Sequence, residues 1–75
     1  MAIFHKTECL ELAKRKAKVL VREIQDGERV RVLRTVVKAY GSKMGRNSYW
    51  GVDLDKPLSD GATGVDYKFI ALVLP

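Results

Sequence analysis

The stretch that decides the fold is KVLVREIQDGERVRVL, residues 18–33. It can be read in two ways. As the tail of a helix, it continues an apolar stripe that begins further back. At about 100° per residue, Cys9, Leu10, Ala13, Ala17, Leu20, Val21 and Ile24 fall within an arc of about 120°. Glu8, Glu11, Lys14, Arg15, Lys18 and Arg22 fill the opposite side. As a hairpin, the same stretch turns at Asp26-Gly27, a pair suited to a type I′ turn. The arc runs unbroken from Cys9 to Ile24, and strict alternation fails at Val19-Leu20-Val21. The stripe therefore predicts a helix over 7–25. Thr7 would be its N-cap, Glu8 would suit its first turn, and Gly27 would take the C′ position.

Beyond this point the pattern is that of strands. Val30 and Val32 alternate with Arg29 and Arg31, which predicts a strand over about 28–39. SYWGVDLD predicts another over about 48–55, with Trp50, Val52 and Leu54 on one face and Tyr49, Asp53 and Asp55 on the other. Gly51 leaves a gap in that second face, as where another backbone comes close. The segment between, YGSKMGRNSYW at 40–50, reads as a glycine-bearing loop with a cationic tip from Gly41 to Asn47. Asp60-Gly61 marks a further turn. Residues 65–74 predict the last strand or pair of strands, apolar on both faces from Phe69 onward. The expected class is α+β: an N-terminal amphipathic helix followed by a small antiparallel, partly open, barrel-like sheet, as a single domain over 1–75.

The bulk numbers fit that expectation. Seventy-five residues leave room for one modest core, so self-association as a homodimer is an option for extra burial. Apolar residues make up 47% and charged residues 31%, which are ordinary globular values. No stretch is long and apolar enough for a membrane span, and the N-terminus lacks the pattern of a secretory signal. A single cysteine excludes an internal disulfide, and these features together predict a reducing, cytoplasmic setting. The net charge of +5 is uneven. Residues 1–46 hold twelve Lys or Arg against five Asp or Glu, a net +7; residues 47–75 hold two against four, a net −2. Such a balance favours acidic partners, nucleic acid first among them.

The run YWGVDLDKPLSDGATGVDYKF places Trp50, Gly51, Val52, Leu54, Asp55, Pro57, Asp60, Gly61, Gly64 and Tyr67 in a recognisable order. In this it resembles the middle of a cytoskeleton-associated glycine-rich (CAP-Gly) domain. GERVRVL ahead of it is similar to the opening strand of small Src-homology-3-like barrels. The resemblance covers about half the chain. It implies a small barrel. The Gly-Lys-Asn part of the CAP-Gly signature, which in that family carries recognition of acidic aromatic C-terminal tails, is absent here, so tubulin-tail binding is not implied.

The chemistry points to binding rather than catalysis. His5 and Cys9 are the only imidazole and thiol. Cys9 lies on the apolar stripe as a small hydrophobe, and His5 precedes the helix. Asp53, Asp55, Asp60 and Asp66 lack both metal-loop spacing and an accompanying histidine. No catalytic residue, metal or cofactor is expected. The basic set is more informative. Lys14, Arg15, Lys18 and Arg22 share the polar side of the helix. Arg29 and Arg31, with Arg34 beside them, belong to the first strand. Lys38, Lys43 and Arg46 flank the 40–49 loop with Tyr40 and Tyr49. Cations that track phosphates, mixed with aromatics that stack on bases, suit single-stranded nucleic acid and RNA. The alternatives are a peptide held in an aromatic groove of Tyr40, Met44, Tyr49 and Trp50, an acidic protein on the basic face, and a small homodimer pairing its edge strands. Trp50 is expected mainly in the core, and Tyr40 and Tyr49 are expected to face each other across the hairpin.

Overall fold

The computed structural model describes residues 2–75. In chain order the elements are β1 (Ala2–Phe4), α1 (Lys6–Lys14), β2 (Lys18–Gln25), β3 (Glu28–Met44), β4 (Asn47–Leu54), β5 (Gly64–Asp66), a 3₁₀ turn (Tyr67–Phe69) and β6 (Ile70–Val73). The strand order is β1-β4-β3-β2-β6, with β5 also on β4. All pairings are antiparallel except β1 on β4. The architecture is thus α+β, one helix against a strongly curled half-barrel. The short β1 that precedes the helix has no counterpart in the expected element order.

The largest correction falls on residues 18–33. The helix does not run over 7–25. It ends at Lys14, and 18–25 is a strand, hairpinned to β3 through Asp26-Gly27. Both turn residues have positive φ, 51° and 79°, as a type I′ turn requires. The helix end is built from two backbone bonds. Ala17 N donates to Leu12 O at 3.0 Å and Lys16 N to Ala13 O at 3.2 Å, while Lys16 sits at φ 48°. This is a Schellman motif, and its usual apolar contact is present because Leu12 and Ala17 are both buried. Lys16, not Gly27, holds the left-handed position.

At the other end His5, at φ 65°, is the N-cap residue, so Thr7 lies inside the helix rather than capping it. His5 Nδ1 and Glu8 Oε2 are 3.0 Å apart, and this bond to His5 is the main reason the Glu8 carboxyl lies below its ordinary value.

The hairpin wins because β2 finds a partner strand on each side, β3 and β6. Val19 and Val21 are fully buried, and Leu20 between them meets Leu33 on one side and Leu72 on the other. The failed alternation at Val19-Leu20-Val21 is therefore a strand whose outer face is also apolar at that row. The core joins Cys9, Leu12 and Ala17 to Val19, Val21, Val36, Val52, Leu54, Leu58 and Val65. Trp50 packs against this cluster from its margin, half-buried.

β3 shapes the sheet. Its 17 residues would span about 53 Å if straight, at about 3.3 Å each. The longest dimension of the protein is 37 Å. The strand must therefore curl, and it does so at a bulge between Val36 and Lys38. Past the bulge β3 continues to Met44, beyond the expected end near 39. Only Gly45 and Arg46 form the turn, with Gly45 at φ 63°, as in a type II′ turn. The 40–49 segment is thus a strand pair with a two-residue turn, not an extended loop. Gly51 lies where the sequence expected a close backbone approach. A Cβ there would collide with the Val65 carbonyl and lie 2.7 Å from Tyr40 Oη.

Two substitutions test this framework. Lys16→Gly relieves a left-handed conformation that costs a residue with a Cβ about 1 kcal/mol, and the melting temperature is expected to rise by several degrees. Gly51→Ala overpacks a backbone contact and is expected to cost about 1–3 kcal/mol in urea unfolding. The Cys9 thiol provides a pH test. Burial, with Glu8 and Asp66 adding to it, pushes its pKa from 9.0 up to about 11. The folded state holds this proton more tightly, so its stabilising effect is complete below about pH 9 and is lost as pH rises through about 11. Wild type should lose stability over that window relative to Cys9→Ala, and the native thiol should stay unreactive to a disulfide reagent at pH 8 until denaturant is added.

Candidate nucleic-acid interface

The register of the β2–β3 hairpin sorts its side chains. Val19 and Val21 face the core, so Lys18, Leu20, Arg22 and Ile24 face outward. Their partners on β3 are Thr35, Leu33, Arg31 and Arg29 in the same order. The outer face therefore carries an apolar row, Leu72-Leu20-Leu33, and beside it a pair of arginines directly opposite each other, Arg22 and Arg31. Ile24 and Arg29 form the next row. Phe69 closes one side, and a groove of about 530 Å³ is lined by Arg22, Glu23, Ile24, Arg29, Val30, Arg31 and Phe69. Arg22 is anchored by an Nη1 bond of 3.0 Å to the Lys68 carbonyl.

These cations lack intramolecular counter-charges. Among the described residues, the one side-chain ion pair is His5–Glu8, and no Lys or Arg nitrogen lies within 4.0 Å of a carboxylate. Glu23, next to Arg22 in sequence, also borders the groove, but its carboxylate is engaged elsewhere. It accepts from Ser59 Oγ, from Ser59 N at 2.8 Å and from Gln25 Nε2 at 3.0 Å. Those bonds, led by the Ser59 hydroxyl, hold its carboxyl below the ordinary value. Like charges directly opposite across two strands are destabilising. The Arg22–Arg31 pair is therefore a standing cost that a bound anion would relieve.

The other expected site residues separate from this face. Lys14 and Arg15 sit exposed at the helix C-terminus, and Lys18 and Arg22 leave the helix for β2, so the basic helix face does not exist as such. Lys38 is at the β3 bulge opposite Asp53. Lys43 and Arg46 lie exposed at the end of the second hairpin. Arg34 belongs to the opposite side of β3 from Arg29 and Arg31. Its head is bound to the Leu33 carbonyl at 2.7 Å and to Pro57 O at 2.9 Å, and its buried Nε has no partner. With Glu23 it ties the 55–63 loop to the sheet, so its role is structural.

The tyrosines also part. Tyr40 pairs with Gly51 and Tyr49 with Ser42, so they do not face each other. Tyr40 lies over Gly51 and Gly64, and burial, then Asp66 and Asp53, raises its pKa. Tyr49 instead stacks on Phe4, ring centroids 5.0 Å apart and 14° from parallel. Trp50 covers Gly41, where a Cβ would come within 2.9 Å of the indole, and Lys6 Nζ lies 5.6 Å from its ring centroid.

Sequence reasoning missed Ile24, Leu33, Phe69 and Leu72 on the groove face, and Phe4 and Tyr67 near the second hairpin. Within the first group Ile24 reads as helix, Phe69 and Leu72 read as core, and Leu33 is given no role, because the strands are apolar on both faces at these rows. The signal in the second was the short apolar triplet Ala2-Ile3-Phe4, which reads as a strand only once β4 is present to pair with it.

Comparison with protein-family models, with curated proteins and with solved structures yields no match. Among the described residues no cluster of His, Cys, Asp or Glu could hold a metal ion, and no helix is long and apolar enough to cross a membrane.

The Glu23–Ser59 clasp has a pH signature. A lowered carboxyl contributes stability that is present above its unfolded value of 4.5 and lost as pH falls through the folded value. Amide protection in 55–63, relative to the intrinsic exchange rate at each pH, is expected to fall below about pH 4.5, and Glu23→Gln should show the lower protection already at pH 7. Equal exchange in both proteins at pH 7 would remove the clasp as the loop's tether.

Proposed function

We propose that this protein is a non-enzymatic module that binds nucleic acid through the outer face of β2 and β3. The observation that carries the reading is the set Arg22, Arg29 and Arg31, without carboxylate partners, lining one groove with Phe69. Guanidinium groups pair with phosphate oxygens through two parallel bonds, and an aromatic at the groove's side offers a face for stacking. Lys18 extends the same face. Lys14 and Arg15 at the helix end, and Lys38, Lys43 and Arg46 on the second hairpin, add to the positive field that steers an anion without forming the groove.

A second reading is favoured by a specific feature. Leu33 and Leu72 are about half exposed beside the arginines, and β6 leaves one edge of the sheet unpaired. An acidic, amphipathic protein segment would satisfy both, by apolar contact and by strand addition. The two readings differ in their dependence on salt. Phosphate contacts release counterions, so affinity falls steeply and linearly on a log–log plot. An interface with a large apolar part is far less sensitive.

Short DNA and RNA strands titrated at two salt concentrations are expected to bind, with a steep loss at the higher one. Arg22→Gln combined with Arg31→Gln should weaken binding to all sequences and reduce the salt slope by about 2. The same double variant removes a like-charge pair and also the Arg22 bond to the Lys68 carbonyl, so its stability is expected to stay within about 1 kcal/mol of wild type. Unchanged affinity would overturn the reading; lost affinity with lost stability would mark the arginines as structural.

A further inference from the structure

A second concavity lies beside the groove. It has a volume of about 200 Å³ and is lined by Phe4, Tyr49, Trp50 and Tyr67, with Asp66 and Lys68. Four of the chain's six aromatic residues thus converge on one small cavity. His5 lines it too and stacks on Tyr67, centroids 4.3 Å apart. The 3₁₀ turn joins this cavity to the groove. Tyr67 and Lys68 face the one and Phe69 the other, and Arg22 bonds the Lys68 carbonyl between them. Two residues of chain reach at most about 7 Å, so the cavity and the phosphate-binding face are neighbours.

We infer that this cavity receives a single unstacked nucleobase from a strand whose phosphates lie on Arg22 and Arg31. The inference rests on the nucleic-acid reading and names the form of nucleic acid bound, a single strand rather than a duplex. Three observations select a base over other ligands. The first is size. Sites for larger ligands run to about 300–1,000 Å³, and 200 Å³ suits one ring system. The second is charge. An aromatic lining with one acid could suggest an organic cation, but Lys6 already sits 5.6 Å from the Trp50 centroid. A second cation would meet that like charge. A neutral ring with a phosphate attached would not.

The third observation is geometry. Phe4 and Tyr49 form a near-parallel stack, and both remain more than a third exposed, 38% and 37%. A base adds a further ring to such a stack, and base–aromatic stacking accepts any base because each has a π-face. Asp66 offers a carboxylate to an exocyclic amine or ring N–H, which gives a basis for preference among bases.

The test uses the single tryptophan as the probe. The full chain is titrated, at low salt, with a ten-nucleotide DNA strand, with its abasic analogue carrying the same phosphates, and with a duplex of the same length. The base-bearing strand is expected to quench Trp50 and to bind about tenfold or more tightly than the abasic strand and the duplex. Tyr49→Ala and Phe4→Ala should abolish that advantage and leave the salt slope unchanged, with Tyr49→Phe retaining it. Both side chains are partly exposed, so circular dichroism and the melting curve check that the fold persists. Equal affinity for the base-bearing and abasic strands, or an advantage that survives both alanine variants, would overturn the cavity's role and leave nucleic-acid binding standing. Binding of none of the three would overturn both.

Discussion

The pairing register of β2 with β3 is the constraint on which the rest of the molecule depends. It runs from Lys18 opposite Thr35 to Gln25 opposite Glu28, closed by Asp26-Gly27. Side chains alternate along a strand, so a slip by one residue would send Val19 and Val21 to solvent and Arg22 to the core. The cost of burying a guanidinium without a partner makes that slip prohibitive. The two-residue turn sets the register locally, and the valines enforce it globally. The Schellman end at Lys16 exists to deliver the chain to Lys18 in this phase, with Ala17 as the hinge between the helix and the strand. Val36 N accepts the same arrangement, donating to Ala17 O at 2.8 Å.

From that register the basic outer face of the sheet follows directly. Once Val19 and Val21 point inward, Arg22 must point outward, and Arg31 must lie opposite it. The fold therefore places two guanidiniums side by side where neither gains from the other. The nearest acid in sequence, Glu23, also borders the groove, but it is committed to Ser59. An uncompensated basic pair costs a small domain some stability, a departure from the optimum for folding alone.

The curl of β3 adds the second element. A flat 17-residue strand would hold the two hairpins far apart. The bulge at Val36–Lys38 bends the sheet around the helix, and the 3₁₀ turn then lies between the arginine groove and the aromatic cavity. Gly51 and Gly64 contribute by absence of a side chain, leaving the room that Tyr40 fills. A single turn of chain thus borders both concavities.

The α+β class, the strands around 28–39 and 48–55, the faces of Trp50, Val52 and Leu54, and the close approach at Gly51 were all legible in the sequence, because each is set by local alternation or by a local turn. The basic character was legible too, since charge is a property of composition. The identity of 18–25 was not. Ala17, Leu20, Val21 and Ile24 satisfy a helical arc as well as a strand, and local periodicity cannot rank two conformations that bury much the same residues. What ranks them is the partner: Leu33 and Leu72 flank Leu20 only when β3 and β6 are in place. The same holds for the site. Arg22, Arg29 and Arg31 were named from sequence, but their grouping apart from Lys14, Arg15, Lys43 and Arg46 was decided by pairing across the sheet. Phe4 joined Tyr49 only through the parallel pairing of β1 with β4. Chain order fixes which groups are present; contacts between residues distant in the chain, set by burial of the valine face, decide which of them meet.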